Sequence, residues 1–240
     1  MKVFALTDKG SVRVLNEDSY YAPAPGEEFC CVADGMGGHN AGEVASAIAA
    51  EVFADRMRDT IFSPHDRLRR AVSAANKVIF DKAAGNQELS GMGTTITGLL
   101  VENGEAHIAH VGDSRCYLLR NRALIQVTSD HTLVEELLLK GAITVREAKN
   151  HPQRNVVTRA LGTEMGVMID LLRVRTLPGD IFMLCSDGLS GLVSHRDMTE
   201  ILNSRMRCED KAVALVSKAI DAGGYDNITV LLAEIEEDPK

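Results

Sequence analysis

Four aspartates sit at the mouths of four apolar runs. Asp34 and Gly35 follow Phe29-Cys-Cys-Val-Ala, and Asp113 closes Ala106-His-Ile-Ala-His-Val-Gly. Asp187 and Gly188 follow Ile181-Phe-Met-Leu-Cys-Ser, and Asp226 opens Asn-Ile-Thr-Val-Leu-Leu232. A carboxylate at a strand end points either into solvent or into a shared cleft. Carboxylates that converge repel one another unless a cation lies between them. A hard divalent ion with oxygen ligands is the usual solution.

The first of these ends reads Asp34-Gly35-Met36-Gly37-Gly38-His39. Gly35 has no side chain, so its carbonyl can approach an ion closely. The glycines could also form a phosphate-cradling turn, but the G-x-G-x-x-G spacing is absent and no βαβ order surrounds it. Upstream, Arg13 stands five residues before Asp18, with Glu17 between them. A guanidinium grips a phosphate with two prongs. An arginine beside a carboxylate-bound metal pair is equipment for hydrolysing a phosphate ester. Asp130-His131 could be taken for a catalytic dyad, but its place before a helix reads as a cap. Asp170 reads as structural, and Met165 and Met168 as packing residues.

The elements that must position these groups follow from pattern. Strand-like runs occur near 3–7, 29–34, 94–102, 105–111, 115–120, 123–128, 168–176, 180–186 and 228–235. Asn103-Gly104 predicts a tight hairpin, and Asn121-Arg122 a second turn. Helical spacing covers Ala41–Asp59, Pro64–Ala84, His131–Lys140 and Glu209–Ala222. Asn40, with Glu43 three residues on, is the expected cap of the first helix, and Ser63-Pro64 starts the second. Strands come in consecutive groups rather than alternating with helices. Antiparallel sheets with helices outside are therefore expected, not a doubly wound parallel sheet. Residues 141–167 are polar and only locally regular, with a Thr144/Glu147 capping box; so long an insertion reads as a lid or recognition flap.

Bulk composition narrows the class. The 240 residues fit one large domain or two small ones, and 45% hydrophobic with 25% charged is ordinary for a globular chain. Asp and Glu number 34 against 26 Lys and Arg, a net charge of −8 that argues against a nucleic-acid partner. The five cysteines (Cys30, Cys31, Cys116, Cys185, Cys208) show no C-x-x-C pair and read as reduced thiols. No signal peptide is evident, and no apolar run approaches the ~18 residues that span a bilayer. A cytoplasmic protein without membrane contact is the expectation. The acidic tail after Glu234 reads as a solvated end.

Six motifs then carry a resemblance: Arg13-x-x-Asn16-Glu17-Asp18, Asp34-Gly35-Met36-Gly37-Gly38-His39, Gly93-Thr94-Thr95, Val111-Gly112-Asp113-Ser114-Arg115, Ser186-Asp187-Gly188-Leu189 and Asp226-Asn227-Ile228-Thr229. In this order they resemble the metal-dependent Ser/Thr protein phosphatases of the PP2C (PPM) family, in its compact bacterial form. Residues 154–162 resemble that form's segment after the flap, and the likeness runs from about Val3 to Ile235. The resemblance implies an α+β fold, a four-layer α-β-β-α sandwich of two mainly antiparallel sheets flanked by helices. It implies one domain over residues 1–240, with a flap subdomain at about 141–165. It implies two core Mn²⁺ or Mg²⁺ ions and a third, and direct attack by a metal-activated water without a phosphoenzyme. Asp34 would bridge the core ions and the Gly35 carbonyl would bind one of them. Asp187 and Asp226 would hold the other, Glu17 and Asp18 would act as outer or water-mediated ligands, and Asp113 with Asp187 would hold the third. Arg13 would bind the substrate phosphate, and Asn227 would orient Asp226. Substrates would be phosphoproteins made by a Ser/Thr kinase of the same cell, acted on by a monomer. One departure stands out: Met36 occupies the place where some eukaryotic members carry a histidine proposed as general acid. The leaving-group proton would then come from metal-bound water, from His39 or from elsewhere.

Overall fold

A computed structural model describes residues 1–37, 41–149 and 151–236. The chain lays down β1 (Lys2–Asp8), β2 (Asp18–Tyr21), β3 (Phe29–Met36), α1 (Gly42–Met57) and α2 (Pro64–Gly85). Next come β4 (Gly93–Thr94), β5 (Ile96–Glu102), β6 (Glu105–Val111), β7 (Arg115–Arg120), β8 (Ala123–Gln126), α3 (Leu133–Leu139) and α4 (Val145–Lys149). It ends with β9 (Asp170–Arg175), β10 (Ile181–Cys185), α5 (Asp187–Ser190), α6 (His195–Leu202), α7 (Cys208–Asp221) and β11 (Ile228–Glu234).

The strands form two sheets, in orders β1-β11-β10-β7-β8 and β2-β3-β5-β6-β9, with β4 beside β3. Every strand pairing is antiparallel. Asn103 (φ 53°) and Gly104 (φ 75°) turn β5 into β6, as their sequence predicts. Asn121 and Arg122 (φ 50° and 65°) do the same for β7 and β8, with Arg120 opposite Ala123.

Side-chain alternation builds three apolar layers. Cys30 and Val32 of β3 face the other sheet and pack with Leu118, Phe182, Leu184 and Leu231. Their neighbours Cys31 and Ala33 face the opposite way, against α1 and α2 through Ala45, Phe53, Leu68 and Ile79. On the far side, Met183, Val230 and Leu232 meet Met198, Leu202, Leu215 and Ala219 of α6 and α7. The result is the expected four-layer α-β-β-α sandwich.

Local departures have local causes. The run 94–102 is split at Thr95, whose hydroxyl is drawn to the backbone of Asp34 at 2.9 Å. Strand β2 was not expected; Asp18-Ser-Tyr-Tyr21 is too short and polar to declare itself, and pairing with β3 defines it. Helix α6 was also unexpected, although Ser194 and Asp197 form a reciprocal cap. Helix α1 has Ala41 at its cap position with no side-chain cap bond, and Asn40 lies outside the described residues. Helix α3 is capped by Thr132, whose Oγ1 accepts from Glu135 N at 3.2 Å, not by Asp130 or His131. Asp130 is instead held by Arg115 at 2.6 Å. Met165 and Met168, expected to pack, are exposed. Residues 237–240 of the tail lie outside the described residues.

Candidate metal centre

Strand β3 delivers Asp34 next to Asp18 of β2, the two being direct register partners. The Asp34 backbone is fully engaged. Its N–H donates to Thr95 Oγ1 at 2.9 Å, and its carbonyl accepts from Thr95 N at 2.9 Å and Thr94 Oγ1 at 2.8 Å. Thr95 Oγ1 also meets Ser114 Oγ at 2.7 Å, which ties this turn to the end of β6. Gly35 follows under a packing constraint: a Cβ there would lie 2.2 Å from the Gly42 carbonyl at the start of α1. Its N–H donates to the Glu17 carbonyl at 3.0 Å.

Asp18 is buried, and its Oδ2 accepts from both Ser186 Oγ and Thr229 Oγ1 at 2.7 Å. Those hydroxyls flank the other two acidic ends. Asp187 begins α5 directly after β10, and Asp226 stands two residues before β11. Gly188 lets the two ends close, since a Cβ there would fall 2.0 Å from the Asn227 carbonyl. The Asp187 and Asp34 carboxyl groups interact electrostatically. Asp113 is buried at the end of β6, electrostatically coupled to both Asp187 and Asp34.

Arg13 reaches this cluster from the loop after β1. Its Nη2 donates to Asp226 Oδ2 at 2.9 Å, and its Nη1 approaches Glu17 Oε2 at 3.4 Å. Asn227 holds Asp226 as expected, but through its backbone. Its side chain spans the loop instead of touching Asp226: Nδ2 donates to the carbonyls of Lys9 and Leu15 at 2.9 Å, and Oδ1 accepts from Glu17 N at 2.8 Å. Asp226 Oδ1 is held by the Asn227 backbone N–H at 2.8 Å.

Burial and mutual repulsion dominate the electrostatics. Burial, then the charges of Asp18, Asp187, Asp113 and Asp226, push Asp34 well above the ordinary carboxylate range. Asp18 is pushed up to about 7 by burial, against the opposing effect of its two hydroxyl donors. Asp113 rises to about 7 through burial and then the charges of Asp187 and Asp130. Asp187 and Glu17 are also raised, burial being the leading cause in each. A cation between these groups would reverse the penalty. The donors are all oxygen and the five thiols lie elsewhere, four of them buried, which suits a hard divalent ion and not zinc. Buried Glu43 Oε2, near Glu17, has no hydrogen-bond partner. Among the described residues no three acidic, His or Cys side chains close into a ready-made cage. An ion here would therefore complete its shell with backbone carbonyl and water, as Mg²⁺ habitually does.

The structure thus brings Asp18, Asp34, Asp113, Asp187 and Asp226 together, with the buried Gly35 beside Asp34 and with Glu17 and Arg13 at the rim. His39 lies outside the described residues. His131 is committed elsewhere, accepting from Gly112 N at 3.1 Å and facing Asp170 at 3.1 Å, with Arg159 on the other Asp170 oxygen at 3.0 Å. Sequence reading missed the supporting hydroxyls of Thr95, Ser186 and Thr229. Their one signal was adjacency to the aspartate motifs.

Comparison with known proteins places the whole chain. The Listeria monocytogenes serine/threonine phosphatase stp is 42% identical over 235 residues, covering 95% of this chain and 93% of that protein. The crystal structure of the Mycobacterium tuberculosis serine/threonine phosphatase PstP/Ppp superposes with a TM-score of 0.92 at 40% identity, covering 98% of this chain and 99% of that one. A structure of the PstP catalytic domain in complex with 2 manganese ions gives a TM-score of 0.89 at 38% identity, covering 98% of each chain. Residues 11–222 match the family described as Protein phosphatase 2C, and the chain belongs to that family.

Proposed function

We propose that this serine/threonine protein phosphatase of the PPM type hydrolyses phosphoserine and phosphothreonine in proteins, with Mn²⁺ or Mg²⁺ held by the aspartate cluster. The observation that carries the reading is the convergence of Asp18, Asp34, Asp113, Asp187 and Asp226, with burial and mutual repulsion raising four of the five. Asp34, the Gly35 carbonyl, Asp187 and Asp226 would hold the two core ions. Glu17 and Asp18 would serve as outer ligands, and Asp113 with Asp187 would hold a third ion. When bound, such ions supply a nucleophilic water at neutral pH and offset the phosphoryl charge.

The chain's own residues do the rest. Arg13 lies within reach of the cleft, paired with Asp226, and it takes the phosphoryl oxygens in two-pronged fashion. The nearby hydroxyls hold other groups: Ser186 donates to Asp18, and Ser114 pairs with Thr95. That commitment favours water as nucleophile over a phosphoenzyme. Met36 carries no proton to give, so the leaving alkoxide takes its proton from solvent in the centre or from His39.

Residues 1–240 are read as one phosphatase domain, with about 141–165 as a flap against the protein substrate. Exposed Val145, Val156 and Met165 on that segment support a protein-facing role. The natural counterpart is a Ser/Thr kinase of the same cell, and the enzyme acts as a monomer. Five free thiols support a reducing cytoplasmic setting. Among the described residues no helix is long and apolar enough to cross a membrane.

Turnover of a phosphothreonine peptide, p-nitrophenyl phosphate and sugar phosphates, each with Mn²⁺, tests the substrate class. The peptide is expected to give the highest kcat/KM. Equal or better turnover of sugar phosphates would replace this reading with a metabolite phosphatase. No turnover of any compound would leave a phosphoprotein binder.

A further inference from the structure

A cavity of about 270 Å³ lies between the C-terminal end of α1 and the first half of α2, lined by Arg56, Asp59, Phe62, Arg67, Arg70 and Ser73. We propose that it is a second, non-catalytic binding site for a phosphate group. The sequence builds it from one helix face: Arg67, Arg70 and Ser73 follow at i, i+3 and i+6 along α2. Arg56, in the last turn of α1, closes the other wall.

Three guanidinium groups against the one carboxylate of Asp59 leave the lining net positive, in a chain whose net charge is −8. Arg67 is only 5% exposed. Its Nη1 is paired with Glu102 at 3.0 Å, but its buried Nε has no hydrogen-bond partner. A buried donor left unpaired is costly, and it leaves this guanidinium, which lines the cavity, with hydrogen-bonding capacity unspent. The Arg70 guanidinium stacks 3.8 Å above the Phe62 ring, which fixes its plane and leaves its edge for a ligand. The Arg56 side chain is 60% exposed, and the Asp55 carboxylate is 3.9 Å away. The volume leaves ample room for a phosphate group.

The site is separate from the metal centre. Helix α1 starts against Gly35 and Glu17 at Gly42 and reaches the cavity at its other end. That run of the helix, at 1.5 Å per residue, puts the two roughly 20 Å apart. Inorganic phosphate and a phosphorylated side chain of a protein share the chemistry required.

The test uses the Mg²⁺-loaded, ¹⁵N-labelled full chain, titrated with inorganic phosphate and, separately, with a peptide bearing a non-hydrolysable phosphonate analogue of phosphoserine. The amide signals of Ser73 and Ala74 and the Arg67 Nε–H signal are expected to shift saturably. Arg56 and Arg70 are exposed, so the double variant Arg56→Ala/Arg70→Ala should fold. It should lose about tenfold or more in affinity through its lost charge-assisted contacts, with peptide turnover unchanged within about twofold. Response to inorganic phosphate alone assigns free phosphate as the ligand; response to the phosphonate peptide alone assigns a phosphorylated protein segment. The proposal is overturned by no saturable shift, by the same shift in the double variant, or by its reproduction with sodium chloride at matched ionic strength.

Discussion

Asp34 is fixed through its backbone, by Thr94 and Thr95, so its carboxyl group is left to the cluster. Asp18 is fixed the other way, through its carboxylate, by Ser186 and Thr229. The aspartates themselves were legible, because an Asp after an apolar run and before Gly has few structural uses. Their supports were not: Thr229 lies 211 residues from Asp18, and only the fold brings the two together. Thr229→Val removes one of the two donors to Asp18 Oδ2. The half-saturating Mn²⁺ concentration for turnover should rise about tenfold, as is typical when a ligand loses its supporting hydrogen bond. The raised carboxyl groups also make a prediction for the metal-free protein. Asp18 and Asp113 move from 3.8 to about 7 on folding, so the folded state binds more protons than the unfolded one between those values. Stability contributed by these groups therefore falls as pH rises through that window. In the presence of chelator, the melting temperature should be higher near pH 6 than near pH 8, and saturating Mn²⁺ should flatten or reverse that slope, since an ion that binds only the folded state stabilises it.

The elements were legible where local chemistry decides them. Asn103-Gly104 accepts positive φ at little cost and makes its hairpin; Ser63-Pro64 caps and starts α2, with Ser63 Oγ accepting from Asp66 N at 3.3 Å. Legibility failed where long-range contacts decide. The segment after the flap has no strong period of its own, and α2 holds it from outside. Buried Asn76 accepts from Gly162 N at 2.8 Å and donates to the carbonyls of Glu164 and Met165 at 3.0 and 3.1 Å. Its helical spacing could not announce partners 86 to 89 residues away. Asn76→Ala strips all three bonds and leaves the buried Gly162 N–H unpaired. A loss of about 2–4 kcal/mol in urea unfolding is expected. Hydrogen exchange should rise first at residues 160–165, because the segment loses its tie to the helix before the sheets are affected.

At the scale of the whole molecule, the order of strands and helices was enough to favour antiparallel sheets over a doubly wound one. The three apolar layers realise the alternative, and they place the ends of β3, β6 and β10 and the entry to β11 around one cleft. The division of acidic roles within that cleft was not readable from composition or spacing; it rested on the resemblance to PP2C phosphatases. The central claim is that the aspartates act by holding divalent ions for phosphoester hydrolysis. It is tested most directly by phosphothreonine-peptide turnover as a function of Mn²⁺, comparing wild type with Asp187→Asn. Wild type should be inactive in chelator and rise saturably with Mn²⁺, while Asp187→Asn should lose about a hundredfold or more in kcat/KM, on the order of 3 kcal/mol of transition-state stabilisation. Turnover that survives complete metal removal, or full activity in Asp187→Asn, would contradict it.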